Sequence, residues 1–327
     1  MVKVHLEDFK MTKNIIFVPF FFNEDFKSGV NVFSNDRKNI YLKNICVSLI
    51  SAKYYNKDCD VALVTNLKTE SENAKCQMPN AYNSLLDKHN IKIFTFDFDT
   101  FCFSKDYLWS SAFYKLCALS HLLDLDYENY CYLDADTYIQ GSFDNIWKES
   151  KDNILLYDIN HGLDTKDYVI FCEQVNKFLN KDIFITHYGG EFFAGNRILG
   201  KQFIEKAKEV YNEMKNKSFV TSVGDEFILS VTACKMKDKV KNAGAYIFRF
   251  WTGSFRLVST SYKFNRVSVL HLPSEKERGM VKIFKKYILK NKIPKDKYVW
   301  KLCHLSYYPL IDKIKLFVKK IIKNKSL

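Results

Sequence analysis

The 327-residue sequence is short of chain breakers, with 11 glycines and 5 prolines, while 47% of its residues are hydrophobic and 16% aromatic. That balance leaves little room for disordered linkers and implies an ordered, globular protein with a sizeable core. No internal repeat is present, and no low-complexity stretch precedes the lysine-rich tail. A membrane-spanning run is also missing. The first apolar segment, IIFVPFFF at 15–22, is too short to cross a bilayer and lacks a small-residue cleavage site, so it reads as a core strand. The nine cysteines, Cys46, Cys59, Cys76, Cys102, Cys117, Cys131, Cys172, Cys234 and Cys303, are odd in number and form no C-x-x-C pair. This spacing argues against a disulfide framework and against zinc. With no export signal, so many single thiols point to a reducing cytoplasm.

Arginine is absent from the last stretch of the chain, and acids nearly so. Residues 281–327 carry fourteen lysines and two acids (Asp296, Asp312), which is +12 of the chain's net +13. The first 280 residues are therefore almost neutral. They show no groove-wide basic stripe, which speaks against nucleic acid as the partner of the main domain. The division implied is a catalytic domain over 1–280 and a lysine-rich amphipathic region over 281–327.

In the tail, Leu310, Ile311, Ile314, Phe317, Val318, Ile321 and Ile322 recur at helical spacing on one face, with Lys313, Lys315, Lys319, Lys320 and Lys323 on the other. Tyr298, Trp300, Tyr307 and Tyr308 upstream suit a membrane interface. The expectation is peripheral attachment to an anionic membrane from the cytoplasmic side, each lysine adding about 1 kcal/mol.

Along the body, NIIFVPF, YLKNICVSLISAKYY and VALVTN give strand, helix and strand in βαβ order, which implies an α/β protein with a mainly parallel sheet flanked by helices. IKIFTF, YCYL and NILLYDI add strands. SSAFYKLCALSHLL (110–123) reads as a helix with serine caps at its start, and GDEFILSVTACKM (224–236) as a helix opening with acids. AYIFRFWTGSFRLV and FNRVSVLHL close the domain with β-rich segments.

Three Asp-x-Asp strings occur: DFD at 97–99, DLD at 124–126 and DAD at 134–136. The last comes directly off the apolar run YCYL, with two carboxylates at the carboxyl edge where open α/β sheets bind ligands. Asp134 and Asp136 are thus the pair placed to share one hard cation, Mn²⁺ or Mg²⁺, with a phosphate-bearing substrate.

The string LWSSAFYKLCALSHLLDLDYENYCYLDADTYIQGSFDNIW resembles the donor-binding stretch of glycosyltransferase family eight, which includes glycogenin and bacterial lipopolysaccharide galactosyl- and glucosyltransferases. GGEFFAGN and GDEFILS are similar to segments of that family and of the blood-group A and B transferases. The resemblance implies a GT-A (Rossmann-like) fold and a retaining, metal-dependent transfer of hexose from a UDP-sugar to a surface-glycan or lipid-linked acceptor. It implies a donor contact at Lys115, where the family has arginine, and a loose one at Asp158. Phe17, Val18 and Pro19 would lie beside uridine. Asp225 and Glu226 fall where the families place a group acting near the anomeric carbon. In VLHLPSEKERG, His271 would complete the metal shell of Asp134 and Asp136, and Lys276 would bind phosphate. The other histidines, His187 among them, have no such context.

Two rivals stand beside this reading. A haloacid-dehalogenase-type phosphatase also opens with strand, Asp, any residue, Asp, but wants Thr or Val where this chain has Tyr138. A non-enzymatic protein binding anionic lipid or nucleic acid would rest on the tail alone. The full chain is expected to co-sediment with phosphatidylglycerol vesicles at low salt and to be released at high salt. Protein left in the supernatant at low salt would remove the membrane expectation.

Overall fold

The computed structural model describes residues 13–25, 36–68, 77–160, 165–252, 264–305 and 314. Strand β1 (Asn14–Phe20) is buried along almost its whole length. Ile16 and Val18 face one apolar cluster while Ile15 and Phe17 face the other. A strand apolar on both faces belongs in the middle of a sheet covered on both sides, which is where β1 lies. Helix α1 (Arg37–Tyr55), β2 (Asp60–Thr65), α2 (Asn80–Lys88) and β3 (Lys92–Thr95) follow in alternation. Next come α3 (Tyr114–Leu122), β4 (Asn129–Leu133), β5 (Thr137–Ile139), α4 (Asp144–Ser150) and β6 (Ile154–Asp158). After α5 (Lys166–Leu179), β7 (Tyr188–Asn196), α6 (Arg197–Asn216) and α7 (Asp225–Lys235) the chain closes with β8 (Val240–Asn242), β9 (Ile247–Arg249) and β10 (Val269–His271).

The main sheet has seven strands in the order β3-β2-β1-β4-β7-β6-β8. All pairings are parallel except those of β7, which runs antiparallel to both β4 and β6. The protein is therefore α/β, with a mixed, mainly parallel sheet flanked by helices and a Rossmann-like strand alternation. The serines of 110–123 do not cap a helix: Ser110–Phe113 is a 3₁₀ turn leading into α3, and neither terminus carries a side-chain cap.

A second, three-stranded sheet, β5-β10-β9, sits beside the first. Its β10 pairs antiparallel with β5 so that His271 lies opposite Thr137, directly after Asp136. Helix α1 is wedged between the two sheets and is buried nearly all round, which explains its polar interior residues. Ser48 Oγ and Thr137 Oγ1 share a hydrogen bond of 2.7 Å, and Ser51 Oγ accepts the Ile139 N–H at 3.1 Å. Asn56 Oδ1 accepts the Phe143 N–H at 2.7 Å, and Asn44 donates to the Lys276 carbonyl at 3.0 Å. Each is a buried polar group meeting a backbone or hydroxyl partner that water cannot reach. Together they pin the segment after Asp136 and the segment carrying Lys276 to one helix.

Residues 281–305 share this core. Helices α8 (Gly279–Lys286) and α9 (Asp296–Leu302), with the residues that follow each, place Met280, Ile283, Phe284, Ile288, Val299, Cys303 and Leu305 in the same cluster as α1 and β2. Of the tail stripe, Ile314 is exposed; Leu310, Ile311, Phe317, Val318, Ile321 and Ile322, the five lysines opposite them, Tyr307 and Tyr308 lie outside the described residues. Among the described residues no helix is long and apolar enough to cross a membrane.

Ser51→Ala is expected to strand the buried Ile139 N–H and lower folding stability by about 1–3 kcal/mol. Urea denaturation reads this as a lower midpoint at unchanged slope. An unchanged midpoint would show that the seam on α1 does not hold β5.

Candidate metal centre and cavity

Where β1 and β4 end, the chain opens onto a cavity of about 810 Å³. Pro19 to Asn23 leave β1 along one wall, Trp109, Tyr168 and Trp251 supply aromatic surface, and Asp134, Asp136, His271 and Lys276 form part of the lining. This is the carboxyl edge of the parallel strands, the usual ligand edge of an open α/β sheet.

One ligand atom each from Asp134, Asp136 and His271 lie within 4.8 Å of one another. His271 Nε2 is 3.4 Å from Asp136 Oδ2 and 3.7 Å from Asp134 Oδ2. Three sequence-distant facts make the cluster: Asp134 follows β4, with its N–H donated to the Glu191 carbonyl at 3.0 Å, Asp136 precedes β5, and β10 lays His271 alongside. Two carboxylates and an imidazole suit a borderline-hard divalent cation. Asp136 Oδ2 supports that fit: it is buried and charged neighbours surround it, yet it has no well-directed hydrogen bond. Such an atom calls for a partner.

His271 is also held from behind. Its Nδ1 lies 3.2 Å from Glu191 Oε1. A carboxylate on Nδ1 fixes the tautomer that leaves Nε2 free for a cation, the usual second partner of a metal-binding histidine. Burial opposes a charge on this ring, but the neighbouring Asp136 and Glu191 carboxylates raise its pKa to about 9 in the metal-free protein. Burial likewise pushes Asp136 up, while Lys276, 3.0 Å away, and His271 outweigh it and hold the carboxyl well below the usual range.

Lys115, on α3, reaches the same floor. Its ammonium lies 2.9 Å from Asp134 Oδ1, 3.3 Å from Asp225 Oδ2, and donates to the Gly190 carbonyl at 2.9 Å. With three acceptors around three donors, it acts as a brace for Asp134 and Asp225. Asp225 stands at the opposite extreme from Asp136. Burial raises its pKa, Lys115 opposes, and the nearby Glu226 and Asp134 charges add to the rise, to about 7.

Glu226, the next residue on α7, is gripped at both oxygens: Arg249 donates to Oε1 at 2.9 Å and His187 Nε2 lies 3.0 Å from Oε2. His187 is itself stacked on Phe171 at 4.0 Å between centroids. Burial pushes the Glu226 carboxyl up, but Arg249 and His187 more than compensate and keep it below its ordinary value, as an oriented carboxylate on the cavity wall. Arg249 makes a two-pronged contact with Glu191 at 2.6 and 2.5 Å, and so joins the Glu226 and His271 groups into one network.

The glycines of GGEFFAGN now have a reason. A Cβ on Gly189 would collide with the Glu191 carboxylate and Arg249, and one on Gly190 with Asp225 and Lys115. The register between β6 and β7 slips beside Tyr157, a bulge at the point where Gly190 and Glu191 meet the cavity floor.

Of the residues singled out in the sequence, Asp134, Asp136, His271, Lys276, Lys115, Asp225, Glu226 and Pro19 all line one cavity. Phe17 and Val18 do not: both are fully buried and face opposite apolar clusters, so they are core. Asp158 is also off the wall; its carboxylate accepts the Asn160 N–H at 2.8 Å. The DLD pair is solvent-facing, Asp124 beside Lys201 and Asp126 beside Arg197. Sequence reasoning passed over His187, Glu191 and Arg249. The one available signal was a charged residue set mid-strand among apolar neighbours, since such a charge is buried only with a partner. Comparison with protein-family models and with curated proteins finds no match for this chain.

Because a cation must displace the His271 proton, Mn²⁺ affinity is expected to rise by about tenfold per pH unit between about pH 6 and 8. Titration with Mn²⁺ followed by electron paramagnetic resonance checks the slope, and a flat profile would remove His271 from the ligand set. Without metal the sign reverses for folding. The raised imidazole contributes stability that is complete below its ordinary pKa of 6.5 and is lost as pH rises through about 9.

Proposed function

We propose that this chain is a metal-dependent glycosyltransferase of the GT-A type, transferring a hexose from a nucleotide diphosphate sugar, UDP-linked by resemblance, to a surface-glycan or lipid-linked acceptor. The observation that carries the reading is the convergence of Asp134, Asp136, His271 and Lys276 with an oriented Glu226 carboxylate on one cavity. At about 810 Å³ it falls within the usual size of small-ligand pockets, about 300–1,000 Å³.

Asp134, Asp136 and His271 would hold Mn²⁺ or Mg²⁺, which when bound neutralises charge developing on a leaving diphosphate. Lys276 is buried, with its ammonium beside Asp136 and 5.7 Å over the Tyr41 ring, and it supplies a second positive charge to the same oxygens. Lys115 positions Asp134 rather than reaching for substrate, since its donors are already engaged. Glu226 offers a fixed negative charge to an anomeric carbon that gains oxocarbenium character, and Arg249 and His187 keep it ionised and aimed. Asp225, poised close to neutrality, can hold or release a proton next to that carboxylate. Attachment of the basic tail to an anionic membrane would place the cavity near a lipid-linked acceptor.

The test is hydrolysis of nucleotide sugars without acceptor. We expect release of nucleoside diphosphate from a UDP-sugar that depends on added Mn²⁺ or Mg²⁺ and is lost in Asp136→Ala, while Asp124→Ala behaves as wild type. Glu226→Ala should lower kcat far more than it weakens donor binding. Full activity after chelation, or release of phosphate from simple monoesters in place of sugar-nucleotide cleavage, would overturn the reading.

A further inference from the structure

Behind the cavity wall, on the solvent side of α3, a second set of donors comes together. Cys117 and His121 are four residues apart and share a face of α3, and the segment that leaves β3 lays Asp99 against them. Asp99 Oδ1 lies 3.0 Å from His121 Nε2 and 3.3 Å from Cys117 Sγ, and all three ligand atoms fall within 4.8 Å of one another. A tetrahedral ion bound at about 2.0–2.3 Å holds its ligand atoms about 3.3–3.8 Å apart, so the donors are already spaced close to a coordination shell. We propose that Asp99, Cys117 and His121 form a zinc site that clips the segment after β3 onto α3.

The donor set selects the metal. A thiolate with an imidazole and one carboxylate suits Zn²⁺, whereas the oxygen-rich centre at Asp134 and Asp136 suits Mn²⁺ or Mg²⁺. Cys117 is fully buried at the floor, and Asp99 and His121 are partly exposed above it, which gives an entry path. Burial pushes the Cys117 thiol up, and the Thr100 hydroxyl with the backbone N–H groups of Thr100 and Asp99 offsets part of that rise. Zn²⁺ binding releases the thiol proton to solvent and leaves a sulfur–metal bond. Two further observations mark the segment as held in place. Phe101 is buried at φ 58, a left-handed conformation that a bulky residue adopts only when its surroundings impose it. His121 stacks on Phe96 with centroids 4.6 Å apart, and the Phe96 carbonyl accepts the Tyr114 hydroxyl at 2.9 Å. The absence of a C-x-x-C pair argued against zinc only in its commonest spacing; here Cys117 is joined by a carboxylate and an imidazole.

The clip reaches the cavity wall. Phe98 packs against Phe21 at 5.0 Å and Tyr114 at 5.4 Å, and both of those line the cavity.

Co²⁺ is the probe, because only a bound thiolate gives its intense near-ultraviolet charge-transfer band, and the centre at Asp134 and Asp136 has no sulfur. The full chain in the Asp136→Ala background should show this band at one equivalent of Co²⁺ and lose it on addition of Zn²⁺. Cys117→Ser should abolish it, and His121→Gln, a change at a partly exposed site, should weaken it while leaving the circular dichroism spectrum unchanged. Absence of the band at one equivalent, or a band that persists in a folded Cys117→Ser protein, would overturn the proposal.

Discussion

Five carboxylates, Asp134, Asp136, Glu191, Asp225 and Glu226, gather under one cavity, and taking so many out of water is tolerable only where cations accompany them. Lys115, Arg249, His271 and Lys276 are those cations. The rest of the architecture reads as a means of delivering these partners to one place. Glu191 is the most demanding member. It is fully buried, has Arg249 across both oxygens and His271 beyond, and its carboxyl stays well below the usual range because those two charges outweigh its burial. The glycine pair before it, the bulge at Tyr157 and the antiparallel course of β7 all serve that one placement.

The network is graded rather than uniform. Beside His271 and Lys276, Asp136 is held strongly ionised, while at the far end Asp225 has one lysine shared with another carboxylate and is pushed toward neutrality. Between them Glu226 keeps its charge because Arg249, shared with Glu191, and His187 each take one of its oxygens. Neighbouring acids driven apart in this way can take different tasks in one reaction, which is the general logic of paired carboxyl groups at catalytic sites.

Strand periodicity at NIIFVPF and VALVTN and helical spacing between them were enough to read the parallel half of the sheet, because a buried parallel strand is an unbroken apolar run. The Asp134–Asp136 turn was legible from its place after such a run. The buried polar seam on α1 was not, since Asn44, Ser48 and Ser51 look like an exposed face until a second sheet is known to cover them. Phe17 and Val18 were misjudged for a related reason: a strand that ends at a cavity contributes its last residues to the wall and buries those before them. His187 gave no local sign, and Arg249 only that of a charge set among apolar neighbours. Their importance lies in partners 58 and 39 positions away, and no spacing rule spans such separations.

Asn44 on α1 donates to the Lys276 carbonyl, a bond between residues 232 positions apart. Synthesis runs from the amino terminus, so α1 and most of the main sheet leave the ribosome long before β10 and the segment behind it. Until then Asp136 has neither His271 nor Lys276 near it, and an ionised, buried carboxylate without its cations favours an open arrangement over a closed one. Residues 271–276 are the segment that brings Asp136 its counter-charges. A closed cavity floor around Asp136 therefore requires a segment made late in synthesis.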